Sequence, residues 1–140
     1  MVEICNFRHM HVHPPCAQLK AIADALMRSV EDGRGCNPQI GNEIPGRLVD
    51  AGMEVEIHVV TLAVRAGTPG WNWPDSLFRE HLGNLVDKGC LDRNAFDAFW
   101  VDWENRSREP SALFFGSPMM ESIGRKPAPG RVSPSSQCRS

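Results

Sequence analysis

Apolar side chains at Leu19, Ile22, Ala23, Leu26, Met27 and Val30 follow the i, i+3, i+4, i+7, i+8, i+11 spacing of one helical stripe. This predicts a first helix, entered after the stiff Pro14-Pro15 pair. Gly33 and Gly35 stop it, because glycine takes the left-handed conformation at a helix end without steric cost. Ile40, Ile44, Leu48 and Ala51 carry a second stripe from an Asn37-Pro38 start, with Pro45 and Gly46 implying a break and Gly52 an end. The period then changes. Val55, Ile57 and Val59 alternate with Glu54, Glu56 and His58, which predicts a half-buried strand running toward Val64.

Ala66 to Gly70 reads as a loop from its turn residues, and Trp71-Asn72-Trp73-Pro74 leads into a third helix with Leu77, Phe78, Leu82, Leu85 and Val86 on one face. Gly89 closes it. Asp92 suits the N-cap of a fourth helix whose stripe is Phe96, Phe99, Trp100 and Trp103, four large rings that need a partner surface. After Glu109-Pro110, the apolar run Ala112 to Gly116 suits a buried strand. Pro118 interrupts or ends it, and Met119 to Ile123 could continue as an edge segment. Residues 1–13 form a polar opening without clear periodicity, and residues 127–140, rich in Pro, Ser and Gly, read as a disordered tail. The order helix, helix, strand, helix, helix, strand predicts an α/β chain with only two clear strands. Such a pair needs further strands or covering helices.

With 140 residues, 41% hydrophobic and 23% charged, the chain fits one domain with one core of modest size. A net charge of −2 provides no broad basic surface, so small molecules or proteins are the expected partners and nucleic acid is not. No apolar run reaches the roughly 20 residues that span a bilayer and no signal-like stretch opens the chain, so no membrane partner and a cytoplasmic location are expected. Five scattered cysteines, Cys5, Cys16, Cys36, Cys90 and Cys138, form no close pair and are expected to be reduced thiols.

The segment Ile44-Pro45-Gly46-Arg47-Leu48-Val49-Asp50-Ala51-Gly52-Met53, followed by the strand Glu54 to Val60, resembles a specific piece of the class I S-adenosylmethionine-dependent methyltransferases. There, a helix of the form "LPxLLxxAGF" leads into the sixth strand of a seven-stranded sheet. Ala112-Leu113-Phe114-Phe115-Gly116 resembles the antiparallel seventh strand of that family, and Ile123-Gly124-Arg125-Lys126 its "xGxK" finish. The resemblance covers about residues 14–126. It is nearest to small-molecule methyltransferases of the quinone-biosynthesis type, with residues 71–108 as a helical insertion. It implies a partial class I fold whose last two strands form an antiparallel pair.

The family's cofactor-binding half has no counterpart here. No glycine-rich loop follows a first strand and no acidic ribose-binding residue follows a second; Gly33-Arg34-Gly35 follows a helix instead. The resemblance therefore implies S-adenosylmethionine chemistry, with no cofactor expected on the isolated chain.

Trp71 and Trp73, between a Gly-Pro loop and a helix start, are candidates for the aromatic wall of an acceptor pocket, against the plainer reading that both seal the core. His81, beside the apolar face of its helix, is the candidate general base, because an imidazole titrates near neutrality; a hydrogen-bonded structural histidine is the alternative. His9, His11 and His13 alternate, with Cys5 and Cys16 flanking, so a zinc or copper site is one reading and a solvated segment the other. Two functions follow. One is the acceptor-side part of a methyl transfer to a small molecule; the other is a non-catalytic module that binds a protein partner, or itself, through an open strand edge.

Overall fold

The computed structural model describes residues 7–33, 37 and 40–128. Two assemblies are built along one bent antiparallel ribbon. The first is the core: helix α1 (Leu19–Glu31), helix α3 (Asn72–Asp87) and helix α4 (Arg93–Ser107) pack on a three-stranded sheet. That sheet has the order β1 (His11–His13), β4 (Leu113–Phe115), β3 (Ala63–Arg65), with both pairings antiparallel. The second is an arm. In it helix α2 (Ile40–Asp50) lies on the two-stranded pair β2 (Glu54–Val60) and β5 (Met119–Arg125).

The core follows from the helical stripes. Ile22, Ala25 and Met27 of α1, Phe78 and Leu82 of α3, and Phe99 and Trp103 of α4 are fully enclosed, with Phe114 of the central strand between them. The α4 rings meet edge-on and stacked partners: Phe78 is perpendicular to Trp103 at 4.9 Å, and Trp103 is perpendicular to Phe114 at 5.9 Å. Such offset and edge-to-face arrangements complement the ring quadrupoles. Asp92 caps α4 as its position predicts, accepting from the backbone N–H groups of Asn94 and Ala95. Gly89, at a φ of 71°, ends α3 with backbone bonds from Gly89 to Val86 and from Cys90 to Leu85. The expected break in the second helix does not occur, since Pro45 sits within α2 without ending it. Pro38, Gly35 and the tail 129–140 lie outside the described residues.

Two expectations are corrected. Ala112–Gly116 does not pair with Glu54–Val60; β2 pairs with β5, in the register Glu54↔Arg125 through Val60↔Met119. The β4 segment pairs instead with β3 and β1. A β-bulge separates the two pairings and offsets their registers by one residue. Gly116 N–H donates to the Leu62 carbonyl while Val60 faces Met119, so Thr61 alone stands opposite two residues, Ser117 and Pro118. Proline cannot donate to a ladder, and the extra residue bends the ribbon and re-aims its strands, which separates core from arm. The second correction concerns the opening segment. Although it has no periodicity, it supplies β1, and its Met10 and Val12 are buried in the core.

The arm has no fully buried residue in α2, and its apolar side chains are shared between helix and ribbon. Gly124 lies under the helix end. A Cβ there would stand 2.7 Å from Met53 Sδ and 3.1 Å from Leu48 Cδ2. Paired residues share a face, so Val55, Ile57, Val59, Met120, Ser122 and Gly124 face α2, while Glu56, His58, Glu121 and Arg125 face the other way. The helix covers only part of its face, and Ile57 and Val59 remain 49% and 64% exposed.

Candidate functional site

A short 3-10 turn, Pro69–Trp71, delivers the chain from β3 into α3 and sets the two candidate tryptophans on different surfaces. Trp71 turns inward. It is buried and stacks on Trp103 with ring centroids 4.7 Å apart and planes 12° apart. Its Nε1–H donates to Ser107 Oγ at 3.0 Å, and that hydroxyl donates to the Trp103 carbonyl at 2.8 Å. Trp103 Nε1–H donates to Asp75 Oδ1 at 3.0 Å, and Arg79 Nε donates to Asp75 Oδ2 at 2.7 Å. The Arg79 guanidinium, raised above its usual range by the Asp75 carboxylate, also lies over the Trp100 ring at 4.8 Å.

This chain of bonds borders a cleft of about 390 Å³ between the start of α3 and the end of α4, lined by Trp71, Asn72, Asp75, Arg79, Glu104, Ser107 and Arg108. Its ionic groups are mutually paired, Asp75 with Arg79 and Glu104 with Arg108 at 3.7 Å. The cleft thus presents a polar rim and the edge of a stacked indole pair. It holds no histidine or cysteine to act as base or nucleophile.

Trp73 turns outward. It is 46% exposed, inclined at 48° to Phe114, and its ring edge lies beside Gly116, where an added Cβ would be 3.7 Å from Cζ3 and 3.5 Å from Leu62 Cβ. Trp73 and the half-exposed Leu62 therefore form an apolar surface at the bend of the ribbon. The two tryptophans do not form one wall. His81 is exposed on α3, eight residues beyond Trp73, so about 12 Å separates them along the helix axis. The structure does not bring His81 to the Trp71 cleft.

Of the alternating histidines, His9 lies in a 3-10 turn (Phe7–His9), and His11 and His13 flank buried Val12 on β1. His11 stacks flat on Phe115 at 4.4 Å. Cys16 is buried, and burial pushes its thiol above the ordinary range; Cys5 lies outside the described residues. Among the described residues no three His, Cys, Asp or Glu side chains gather closely enough to hold a metal ion. No helix among them is long and apolar enough to cross a membrane.

A second concavity escaped sequence reasoning. It is a groove of about 470 Å³ between α2 and β5, lined by Gly41, Ile44 and Leu48 above and by Met120 to Gly124 below. Its signal was present only as small residues, Gly41 and Gly124, on facing elements.

No protein-family model, curated protein or solved structure matches this chain.

Proposed function

We propose that this chain is the acceptor-side part of an S-adenosylmethionine-dependent methyl transfer to a small molecule. One observation carries the reading. Two of the three sequence segments that resemble the methyltransferases meet in space: Met53, which ends the Ala-Gly-Met motif, and Leu48 pack over Gly124 of the Gly-Arg-Lys finish, across an antiparallel strand pair. A helix delivered into a strand whose neighbour returns antiparallel agrees with the resemblance in outline, although the returning strand is Met119–Arg125 and not the Ala112–Gly116 segment that resembles the seventh strand.

The residues present do not fit the cofactor. Of the two glycines after strand β3, Gly67 has open space around it, but Gly70 is closed against Val64, with an added Cβ only 2.9 Å from Cγ1, so a ligand cannot approach the backbone along the whole loop. On this reading the cofactor is held by a polypeptide portion other than the described residues. What this chain contributes is acceptor positioning, the largest entropic share of an in-line group transfer. Trp73, with Leu62 beside it, offers a flat apolar rest for a planar acceptor at the ribbon bend. A small acceptor on Trp73 does not reach His81, so a proton-removing role for His81 needs an acceptor extended along α3.

The test is a fluorescence titration of the folded chain with small planar phenols and quinols. Saturable quenching that Trp73→Ala abolishes is expected, together with no heat on titration of S-adenosylmethionine. A folded chain that shows no saturable quenching, or that binds S-adenosylmethionine at micromolar strength, overturns the proposal.

The second reading, a protein-binding module, is favoured by a different observation: Ile57, Val59 and Val60 are all about half exposed or more on one strand with an open edge.

A further inference from the structure

Strand β2 is an edge strand of a two-stranded pair, and among the described residues nothing pairs with its second edge. An open edge presents a row of backbone donors and acceptors ready for another strand. Natural edges are commonly blunted by proline, lysine or a bulge. Glu54–Val60 contains none of these over its seven residues, and its apolar members are exposed: Ile57 at 49%, Val59 at 64% and Val60 at 56%.

The sequence of this edge is complementary to itself. When two copies of β2 lie antiparallel with Ile57 facing Ile57, Val55 faces Val59 and Glu56 faces His58. All three contacts occur twice or on the two-fold axis. Val55, Ile57 and Val59 stay on one face and Glu54, Glu56, His58 and Val60 on the other, because antiparallel neighbours in a sheet keep their faces. Moving the register by two residues centres it on His58, which sets His58 against His58 and Glu56 against Val60, or on Glu56, which sets Glu56 against Glu56; moving it by four to centre on Val59 sets His58 against Val60 and Ile57 against Thr61, which removes the charge pairing. Centring on Val55 sets Glu54 against Glu56, a like-charge pair. One same-face register is thus selected by charge.

We infer that a second copy of this chain adds to the β2 edge, giving a four-stranded antiparallel sheet in the order β5-β2-β2-β5, with Ile57 on the two-fold axis and Glu56 of each copy beside His58 of the other. His58 Nε2 is already 2.8 Å from Glu56 Oε1 and Nδ1 is 3.6 Å from Glu121 Oε2 within one chain, while Arg125 Nη2 is 3.5 Å from Glu56 Oε2. The added copy extends this alternating-charge face. Both α2 helices then lie on the same side of the sheet and flank a strip of Val55, Ile57 and Val59 from the two copies. A seven-residue edge, about 24 Å long, buries less than a standard interface, so the dimer is weak and reversible. This inference does not depend on the methyl-transfer reading, since acceptor binding at Trp73 involves the ribbon bend and not the β2 edge.

The test is sedimentation equilibrium of the full chain over a concentration series reaching about 100 µM, a range suited to a weak interface. A monomer–dimer equilibrium is expected. Ile57→Lys places two ammonium groups face to face on the axis and should raise the dissociation constant about 10-fold or more. His58→Lys keeps a cation opposite Glu56 and should leave the dimer intact or tighter. Circular dichroism checks that both variants fold. As an independent readout on the unaltered chain, amides of Glu54–Val60 should gain hydrogen-exchange protection as concentration rises. A monomer at the highest concentration, a dimer unaffected by Ile57→Lys, or a dimer without concentration-dependent protection of β2 would each overturn the inference.

Discussion

Replacing Trp103 by Phe tests whether one residue joins the core to the polar network around the α3–α4 cleft. Trp103 is fully enclosed, and its ring touches Trp71, Phe78, Phe99 and Phe114. Phenylalanine keeps a six-membered ring but leaves the space of the pyrrole portion empty, which costs about 1–2 kcal/mol in lost transfer and residual cavity. The bond from Nε1–H to Asp75 is lost as well. Asp75 retains Arg79 and is 28% exposed, so water replaces the missing donor and this part is worth only about 1 kcal/mol. The sum, about 2–3 kcal/mol, is a sizeable fraction of the stability of an ordinary small domain. Urea unfolding followed by circular dichroism should show the midpoint lowered by about 1–2 M with an unchanged slope. A shift below about 0.3 M would refute the reasoning, because it would mean that Trp103 is not the packed centre of the core.

Three further outcomes follow from local geometry. Asp92→Ala removes the cap of α4 and should cost about 1 kcal/mol, read as a fall in melting temperature of a few degrees; an unchanged melting curve would show that the cap is not made. Asp24 is held below the usual carboxylate range by its hydrogen bond from Lys20 at 2.8 Å, with Arg8 adding to the effect. Its contribution is present above the unfolded pKa near 3.8 and disappears as pH falls through the depressed folded value. Asp24→Asn should therefore be less stable by about 0.5 kcal/mol at neutral pH and equal to the parent in strong acid, which paired urea titrations check; an equal deficit at both pH values would contradict it. Cys16, buried and with its thiol pKa raised, should be alkylated by iodoacetamide at pH 8 much more slowly than half-buried Cys90, and at a similar rate once unfolded. Peptide mass mapping reads both rates, and equal labelling in the native chain would place Cys16 at the surface.

The four long helices and the strand Glu54–Val60 were legible because each rests on a local rule. Leu19 to Met27 and Phe96 to Trp103 repeat at the helical period, Asp92 and Gly89 are end signals, and the residues of β2 alternate. Such signals depend only on the chain within a turn or two of itself. They carried through to the structure, except that Pro45 was accommodated inside α2.

Pairing was not legible in this way. His11–His13 is three residues long and polar on two of them, so only the edge of β4 makes it a strand. The partner of β2 follows from the long-range pairing of β3 with β4, which carries β2 onto β5, with a bulge at Ser117-Pro118 offsetting the register by one residue. The candidate site shows the same division. Sequence marked Trp71 and Trp73 as a pair, but a helix turns successive side chains to different sides, and the fold placed Trp71 on Trp103 and Trp73 beside Gly116. The contact of Met53 with Gly124, between residues seventy-one positions apart, and the open edge of β2 exist only in three dimensions. Periodicity and end signals set which segments become helix or strand, because those are decided by each residue's own neighbours. Which segments meet, and which edge is left without a partner, was decided by long-range backbone pairing, which has no local signature.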